Sequence, residues 1–472
     1  MKEVNAAIIT IGDELLIGQT IDTNSAFIAQ QLNQIGIWMK RRIAVGDVKE
    51  EILKSLKEQS QDCDVIIITG GLGPTADDIT KPALCEYFNS KLIVDDGALQ
   101  NVKDIFTKLD RPLIERNLKQ AEVPDNCIVL PNKRGTAPGM WFSPSPTINL
   151  KVEDGTKTPS LWEVNDQSES MLTASKKENE KKSFPNLISP TLGGEQGSAP
   201  IIISLPGVPH EMKGLMTDSV IPKLKQSFDL PVVAHRTLLT SGIGESMIAE
   251  TIVDFENNLP PHVKLAYLPA YGMVRLRLTA RGNNHEMIDT ELDHLFRNLK
   301  SLVQKWMVAD EDITLHQAVI QLLKSKNKTI STAESCTGGN IAHLLTSIAG
   351  SSAVYKGSIV SYANEAKENL LTVKNETLKQ FGAVSEQTVH EMVQGALQQL
   401  NTDYAIATSG IMGPGGGTAE KPVGTIWIAV ANKEKIKTSK QFFRFDRERN
   451  IELTTHTALT MLFRFVKEQE PE

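Results

Sequence analysis

Short apolar runs alternate with helical patterns at the start of the chain. The apolar runs are Ala6–Ile11, Ile43–Val45 and Val65–Ile68, and helices are predicted over Ser25–Ile35 and after Val48. A βαβαβ order is typical of a mostly parallel sheet with helices on both faces, in which ligands bind beyond the carboxyl ends of the strands. The pattern predicts a doubly wound α/β domain over residues 1–231.

Two stretches differ from this alternation. Residues 143–199 are dominated by Ser, Pro, Lys, Glu and Asn and contain the charged run Lys176–Lys182, a composition typical of a flexible insertion. Residues 232–307 combine a helical pattern with an alternating strand over Met273–Ala280, which predicts a small α+β connector. The α/β alternation then returns, and we expect a separate α/β domain over residues 314–467.

Composition narrows the class of protein. The chain has 472 residues and a net charge of −7, which gives no general attraction to nucleic acid, so nucleic acid is not an expected partner. No apolar run approaches the roughly 18 residues of a membrane span, and the first residues lack the pattern of a signal peptide. We therefore expect a cytoplasmic protein without membrane attachment. Its four cysteines have no CxxC spacing and are expected to be reduced.

A candidate nucleophile and base lie in the last third of the chain. Ser335 falls between a predicted strand and a helix, where unpaired backbone N–H groups favour an anion, although a serine there also serves as an ordinary helix cap. Lys367 starts a helix after a second strand; it is either a solvated surface lysine or, if burial depresses its pKa, a general base. Cys336 is a rival nucleophile, because a helix N-terminus lowers a thiol pKa.

Several motifs in this region carry a specific resemblance. The stretches TAESCTGG, AGSSAVYKGSIVSYANEAK, GAVSE, SGIMGPGGG, EKPVGTIW and FDR occur in this order. Together they resemble the nicotinamide mononucleotide deamidase domain of the CinA (competence/damage-inducible protein A) family. In the first domain, IGDELLIGQTIDTNS, ITGGLGPTADDIT, PNKRGTAPG and LPGVPHEM resemble the first domain of CinA proteins, which is similar to molybdopterin-binding folds.

The resemblance implies roles for individual C-terminal residues. Ser335 is expected to attack the carboxamide of nicotinamide mononucleotide, with Lys367 as its base, and the products are ammonia and nicotinate mononucleotide. No cofactor is expected in this domain. Oxyanion stabilisation is expected from backbone N–H groups near Gly338, and a phosphate contact from Arg447. The substrate-binding residues implied are Tyr362, Gly338, Gly339, Ser409 and Arg447.

The N-terminal motifs indicate phosphate chemistry. The GGLGPT turn offers backbone N–H groups to phosphate oxygens, while Asp77 and Asp78 either bind a hard divalent cation or simply cap a helix. Asp13 and Glu14 have the same ambiguity. The resemblance implies hydrolysis of ADP-ribose to AMP and ribose 5-phosphate with Mg²⁺ or a similar ion. The metal ligands implied are Asp13, Asp77 and Asp78, and the weaker ligand contacts are Thr75, Asn24 and Glu211.

Alternatives and further expectations accompany this assignment. The N-terminal domain alternatively binds a pterin or nucleotide without hydrolysis, and the protein then acts as a binding or competence-associated factor.

The resemblance implies a KH-like middle module and a homodimer. Because the module has no basic GXXG loop, we expect it to be a structural spacer. CinA proteins join GTAPGMWF to IIISLPGVPHEM by a short hairpin, so the insertion is a departure from the family pattern. Deleting Ser145–Ser198 is expected to leave both activities nearly intact.

Overall fold

A computed structural model describes residues 3–75, 78–143 and 199–470 of the chain. These residues form two compact units, one within residues 1–231 and the other within residues 232–472. The predicted insertion, apart from its end residues 143 and 199, lies outside the described residues, as does the candidate metal ligand Asp77.

The first unit contains a six-stranded sheet of order β2-β1-β3-β8-β7-β6 and a separate β4-β5 pair. The strands are β1 Asn5–Ile11, β2 Trp38–Val45, β3 Val65–Thr69, β4 Leu92–Val94, β5 Glu122–Pro124, β6 Ile128–Leu130, β7 Gly139–Phe142 and β8 Ile201–Leu205. The helices are α1 Asp13–Leu16, α2 Thr23–Gln34, α3 Lys49–Gln59, α4 Thr80–Tyr87, α5 Asp96–Lys108, α6 Glu115–Leu118, α7 Pro209–Leu215 and α8 Ile221–Ser227.

The parallel strands β1, β3 and β8 are buried on both faces. Ile8 of β1 packs in one apolar cluster with Leu32 of α2, whereas Ile9 packs in a second cluster with Leu56 of α3. Because successive side chains of a strand point to opposite faces, the two clusters lie on the two sides of the sheet. The doubly wound α/β fold predicted from the sequence is confirmed.

The loops after β1 and β3 lie against each other at the carboxyl edge of this sheet. A Cβ added at Gly70 would lie 2.3 Å from the carbonyl oxygen of Ile11, and Gly70 has a φ of +117°. Only glycine allows both this close approach and this backbone conformation. The first glycine of the GGLGPT turn therefore brings that turn against the end of β1.

The second unit begins with a four-stranded antiparallel sheet of order β10-β11-β9-β12. Its strands are β9 Val232–Ser241, β10 Val263–Ala270, β11 Met273–Gly282 and β12 Met307–Ala309, and its helices are α9 Glu245–Thr251, α10 Val253–Asn257 and α11 His285–Val303. Leu276 and Leu278 of β11 are buried in the cluster that includes α11 residues, while Arg275 and Arg277 alternate with them and bind Asp312 at 3.4 and 2.9 Å. The alternating strand pattern thus forms the α+β module predicted from it.

The remainder of this unit is a five-stranded sheet of order β14-β13-β15-β16-β17 with helices around it. Its strands are β13 Ile330–Glu334, β14 Tyr355–Val360, β15 Tyr404–Gly410, β16 Thr425–Asn432 and β17 Ile436–Phe442, and its helices are α12 Leu315–Ser325, α13 Asn340–Thr346, α14 Asn364–Leu371, α15 Asn375–Phe381, α16 Glu386–Leu400 and α17 Arg447–Gln469. Strands β13, β14 and β15 are parallel. Their carboxyl ends, where the predicted site residues occur, therefore meet at one edge.

The strands that flank the predicted insertion are hydrogen-bonded neighbours. β7 and β8 are antiparallel, and Phe142 pairs with Ile202 near the ends that the insertion connects. A short turn can join adjacent antiparallel strands. We therefore expect that replacing Ser145–Ser198 by a short Gly/Ser turn changes the free energy of unfolding by no more than about 1 kcal/mol, since shorter loops cost less closure entropy.

Denaturant unfolding of the shortened and full-length chains measures this difference. A matched control carries Phe142→Ala in the full-length chain; removing this buried ring from the sheet is expected to cost about 3 kcal/mol. A shortened chain as unstable as that control would show that the segment contributes to the folded core.

Candidate active site

Ser335 and Lys367 meet at the carboxyl edge of the C-terminal sheet. Ser335 directly follows β13, and its backbone N–H donates to the carbonyl oxygen of Thr408 on β15 at 3.0 Å. Lys367 lies in α14, the helix that follows β14. Its Nζ donates to Ser335 Oγ at 3.0 Å and to the carbonyl oxygen of Ser361 at 2.8 Å. Both side chains are buried, with 8% of Ser335 and 1% of Lys367 exposed.

The surroundings of Lys367 favour its neutral form. Its hydrogen-bond acceptors are the hydroxyl of Ser335 and the backbone carbonyls of Ser361 and Tyr362. Within the described ranges no carboxylate forms an ion pair with it. Burial lowers the pKa of Lys367 below its ordinary value of 10.5, because desolvation penalises the charged ammonium. A lysine in this environment is suited to accept the Ser335 proton.

Cys336 does not fit the role of rival nucleophile. Its thiol is buried beside the dyad, and burial raises its pKa to about 12. The sequence argument placed it at a helix N-terminus, but α13 begins only at Asn340. Desolvation therefore outweighs any effect of the helix, and the thiol stays protonated near neutral pH.

Glu334, the last residue of β13, organises the turn that carries Ser335. Its fully buried carboxylate accepts hydrogen bonds from the backbone N–H groups of Gly339, Ile341 and Ala342 at 3.1, 3.0 and 2.8 Å. The hydroxyl of Thr337 donates to it at 2.8 Å. The carboxylate thus satisfies the N-terminal donors of α13, a favourable place for negative charge. Sequence reasoning missed this role; the signal was the single charged residue of strand β13, at its last position.

The network of Glu334 changes the expected oxyanion site. The N–H of Gly338 donates to the carbonyl oxygen of Ser335 at 3.2 Å, and that of Gly339 is taken by Glu334. Their N–H groups are therefore not available to a ligand, which excludes these two among the backbone donors expected near Gly338. Within the part of the chain that the structure describes, the N–H groups of Cys336 and Thr337 have no acceptor. They are the donors left in this turn.

Arg447 joins three of the motifs beside the dyad. It is the first residue of α17, and its guanidinium donates to the hydroxyl of Tyr362 at 2.9 Å and to the carbonyl oxygen of Gly413 at 2.8 Å. Tyr362 is 64% exposed and lies two residues after the end of β14. The structure therefore brings Tyr362 and Arg447 together at an accessible surface. Arginine has five N–H donors, so further donors remain for an anion.

Ser409 lies near the site but its hydroxyl points elsewhere. The residue is on β15, is 1% exposed, and donates from Oγ to the carbonyl oxygen of Ala383 at 2.7 Å. This bond ties the GAVSE segment to the end of the sheet. The described contacts thus give Ser409 a role in holding the loop before α16.

In the first unit, Asn24 and Glu211 contact the loops at the carboxyl edge of the sheet. Asn24 Nδ2 donates to the carbonyl oxygen of Gly207 at 2.7 Å, whereas its Oδ1 is buried and has no partner in the described residues. Glu211 accepts from Asn132 Nδ2 at 2.6 Å, and burial raises the pKa of its carboxyl group. The buried oxygen of Asn24 is a free acceptor beside the predicted phosphate turn.

Asp13 and Asp78, the candidate metal ligands among the described residues, have protein partners. Asp78 accepts from the N–H groups of Gly73 and Thr75, both at 2.8 Å, so these donors of the GGLGPT turn are not free for phosphate. Asp13 Oδ1 accepts from the N–H of Asp47 at 3.2 Å. The backbone oxygen of Glu14 accepts from two N–H groups, those of Gln19 and Thr20. In the described ranges no three His, Cys, Asp or Glu residues are grouped to hold a metal ion, and the metal site stays a prediction.

Three family models together span most of the chain. The model of a probable molybdopterin binding domain matches residues 7–226, that of the damage-inducible protein CinA KH domain residues 235–309, and that of the CinA C-terminal domain residues 312–466. Within the described residues, no helix has the length and apolarity to cross a membrane. These matches define a mixed α/β chain with a molybdopterin-binding-like, a KH and a C-terminal CinA domain.

Relatives match over the whole length. A CinA-like protein of Cytophaga hutchinsonii is 42% identical, covering 98% of this chain and 99% of the relative. A CinA-like protein of Flavobacterium psychrophilum is also 42% identical, covering 98% of each. The crystal structure of the competence/damage inducible protein CihA from Agrobacterium tumefaciens is 43% identical over 32% of this chain and 92% of its own, with a TM-score of 0.31. The chain belongs to the CinA family.

We expect Glu334→Gln to destabilise the protein. The substitution replaces one acceptor oxygen by an NH₂ group that would face the backbone donors of α13. Leaving buried donors unsatisfied is expected to lower the free energy of unfolding by about 2–3 kcal/mol. Urea unfolding measures this difference, with the exposed Glu376→Gln as the matched control. Equal stability of the two variants would contradict the role assigned to Glu334.

Proposed function

We propose that the C-terminal domain hydrolyses the carboxamide of nicotinamide mononucleotide to nicotinate mononucleotide and ammonia. The observation that carries this proposal is the buried dyad, in which Lys367 Nζ lies 3.0 Å from Ser335 Oγ without a carboxylate partner in the described residues. A serine and a neutral lysine in hydrogen-bond contact form a nucleophile and its base. The motifs shared with the CinA family support the choice of substrate.

In the first step Lys367 accepts the proton of Ser335 as the serine oxygen attacks the carboxamide carbon. Negative charge develops on the carboxamide oxygen, and the N–H groups of Cys336 and Thr337 are the donors available for it, since those of Gly338 and Gly339 are occupied. The protonated lysine then returns its proton to the nitrogen, and ammonia leaves. In the second step water cleaves the acyl-serine ester by the same proton transfers.

Tyr362 and Arg447 are suited to bind the rest of the substrate. The guanidinium of Arg447 lies at an accessible surface and has donors beyond those used for Tyr362 and Gly413, a geometry suited to a phosphate. The exposed ring of Tyr362 lies in the segment that leads to Lys367. The pyridinium of nicotinamide mononucleotide carries a positive charge, which a tyrosine face attracts.

We expect Ser335→Ala to abolish release of ammonia from nicotinamide mononucleotide, because the nucleophilic oxygen is removed without disturbing the Glu334 network. Cys336→Ala is the matched control: its thiol is buried and protonated, so turnover should stay within about threefold of the starting protein. Ammonia and nicotinate mononucleotide are quantified together. Activity that survives in Ser335→Ala but disappears in Cys336→Ala would show that the Cys336 thiol is the nucleophile.

The rate should depend on pH through Lys367. The base acts when neutral, so kcat/KM should rise with pH through the lowered pKa of Lys367 and fall roughly tenfold per pH unit below it. Lys367→Arg should be inactive at every pH tested, because a guanidinium is not deprotonated in proteins. The exposed Lys374→Arg serves as control and should keep the profile. A flat profile in the unaltered chain would contradict lysine as the base.

We propose a second function for the N-terminal domain, the binding of a nucleotide diphosphate such as ADP-ribose. Two observations support it: the buried Oδ1 of Asn24 has no partner in the described residues, and the N–H groups of Gly71 and Leu72 have no acceptor there. Hydrolysis to AMP with a divalent ion is the activity expected from the family. The described carboxylates do not by themselves fit a metal centre, so no metal-dependent step is derived.

We expect the full-length protein to bind ADP-ribose, and the release of AMP after a divalent ion is added tests the hydrolysis that the family resemblance implies. Asn24→Ala should weaken ADP-ribose binding about tenfold, or about 1.4 kcal/mol, because a buried acceptor is lost. Gln34→Ala, exposed near the far end of the same helix, is the control. Calorimetry and AMP quantification are run in parallel. If ADP-ribose binds but no AMP is released with any divalent ion, the N-terminal domain has a purely binding role.

A further inference from the structure

A cavity of about 310 Å³ lies where the KH-like module meets the C-terminal sheet in the second unit. Three elements form it: the glycine turns at Gly242 and Gly272 of the module, the edge strand β17, and one face of α17. The α17 residues that line it include His456, Thr460 and Arg464, which recur every four residues and therefore share a helix face. The volume is at the lower end of that of small-molecule sites.

Buried hydrogen bonds hold the two sides of the cavity together. The hydroxyls of Ser241 and Thr460 are 2.6 Å apart, and Arg464 donates to the carbonyl oxygen of Ser241 at 2.8 Å. A Cβ added at Gly242 would meet the Arg464 guanidinium at 3.0 Å, whereas one added at Gly272 would meet no atom within 4 Å. Hydrogen-bonded residues of the KH-like module and of α17 thus form the walls of the cavity, and there is open space above Gly272. We call this contact between the module and the C-terminal domain the seam.

The charged side chains that line the cavity are all positive. Lys437 and Arg464 line the cavity, whereas the lining contains no Asp or Glu. Glu468 pairs with Lys437 at 3.2 Å from outside the lining, and both of these side chains are about half exposed. Cationic groups in a concave site raise the local concentration of anions. The lining therefore favours an anionic ligand.

Further polar groups fit the oxygens of a phosphate. Ser439 Oγ accepts from Gln441 Nε2 at 2.7 Å, which leaves its own hydrogen for donation, and the hydroxyl of Thr457 has no hydrogen-bond partner in the described part of the chain. His456 Nδ1 is buried and likewise has no partner there. Two cations and two hydroxyl donors suit a phosphate, whose three terminal oxygens offer more acceptor sites than the two oxygens of a carboxylate.

We propose that this seam cavity is a binding site for a small phosphate monoester, with Lys437 and Arg464 as the groups that contact the phosphate. The cavity has more room than inorganic phosphate fills, so a compact organic body accompanies the phosphate. The proposal does not depend on the deamidase or on the N-terminal domain. Its site is separate from Ser335 and Lys367, neither of which lines it.

The experiment is calorimetric titration of the full-length protein with glycerol 3-phosphate, inorganic phosphate and glycerate, which replaces the phosphate ester by a carboxylate. Lys437→Gln removes a charge without touching the seam contacts, and Arg464→Gln removes the second cation. Lys467→Gln, three residues further along α17 and outside the lining, is the control. Thermal unfolding of each variant verifies that it is folded.

We expect glycerol 3-phosphate to bind, each lining variant to bind it about tenfold more weakly, which is about 1.4 kcal/mol, and Lys467→Gln to bind unchanged. If inorganic phosphate binds as tightly as glycerol 3-phosphate and the variants weaken its binding equally, the ligand has no organic body. Free phosphate is then assigned to the site. Glycerate of equal affinity would overturn phosphate recognition. No binding, or binding that neither lining variant weakens, would overturn the proposal.

Discussion

The carboxylate of Glu334 is the group on which the C-terminal site depends. A strand that ends at the edge of a sheet and a helix that begins a few residues later leave backbone donors unsatisfied, and the donors of Gly339, Ile341 and Ala342 converge on this one side chain. The intervening turn is therefore held from both ends. Ser335 lies in that turn, and its own N–H is bonded to Thr408 on the next strand. The proposed nucleophile thus lies in a turn whose flanking backbone groups are hydrogen-bonded, an arrangement that preorganised catalysis requires.

The surroundings of Lys367 likewise suit its proposed role as the base. A hydroxyl nucleophile needs a neutral amine as its base, and an amine is shifted towards its neutral form when its charged form is desolvated and unpaired. Lys367 meets both conditions, since it is almost fully buried and has only uncharged acceptors among the described residues. Glu334 lies one residue from Ser335, but its oxygens are engaged by backbone and hydroxyl donors. A carboxylate close to the dyad is thereby kept in a structural role.

The sequence predicted the fold from local signals, and the family resemblance implied the pairing of Ser335 with Lys367. Alternating apolar runs indicate strands of a parallel sheet, and residues after their carboxyl ends meet at one edge, as Ser335 and Lys367 do. Two kinds of information were not local. Whether a backbone N–H group is free depends on which side chains lie near it in the folded chain. The hydrogen bond from the N–H of Gly339 to the carboxylate of Glu334 was therefore missed. Burial also decides a pKa, so a helix-based argument gave the wrong direction for Cys336.

Helix α17 shows how one element serves two surfaces of the second unit. Its first residue, Arg447, contacts Tyr362 and Gly413 beside the dyad, whereas Thr460 and Arg464, three to five turns later, contact Ser241 of the KH-like module. Thr454, between them, is buried in the body of the domain. A shift of the helix along its axis would therefore disturb both ends together, because a packed helix moves as a unit. The KH-like module thus takes part in holding the helix that presents Arg447, and it does so through backbone and hydroxyl contacts that require no nucleic acid.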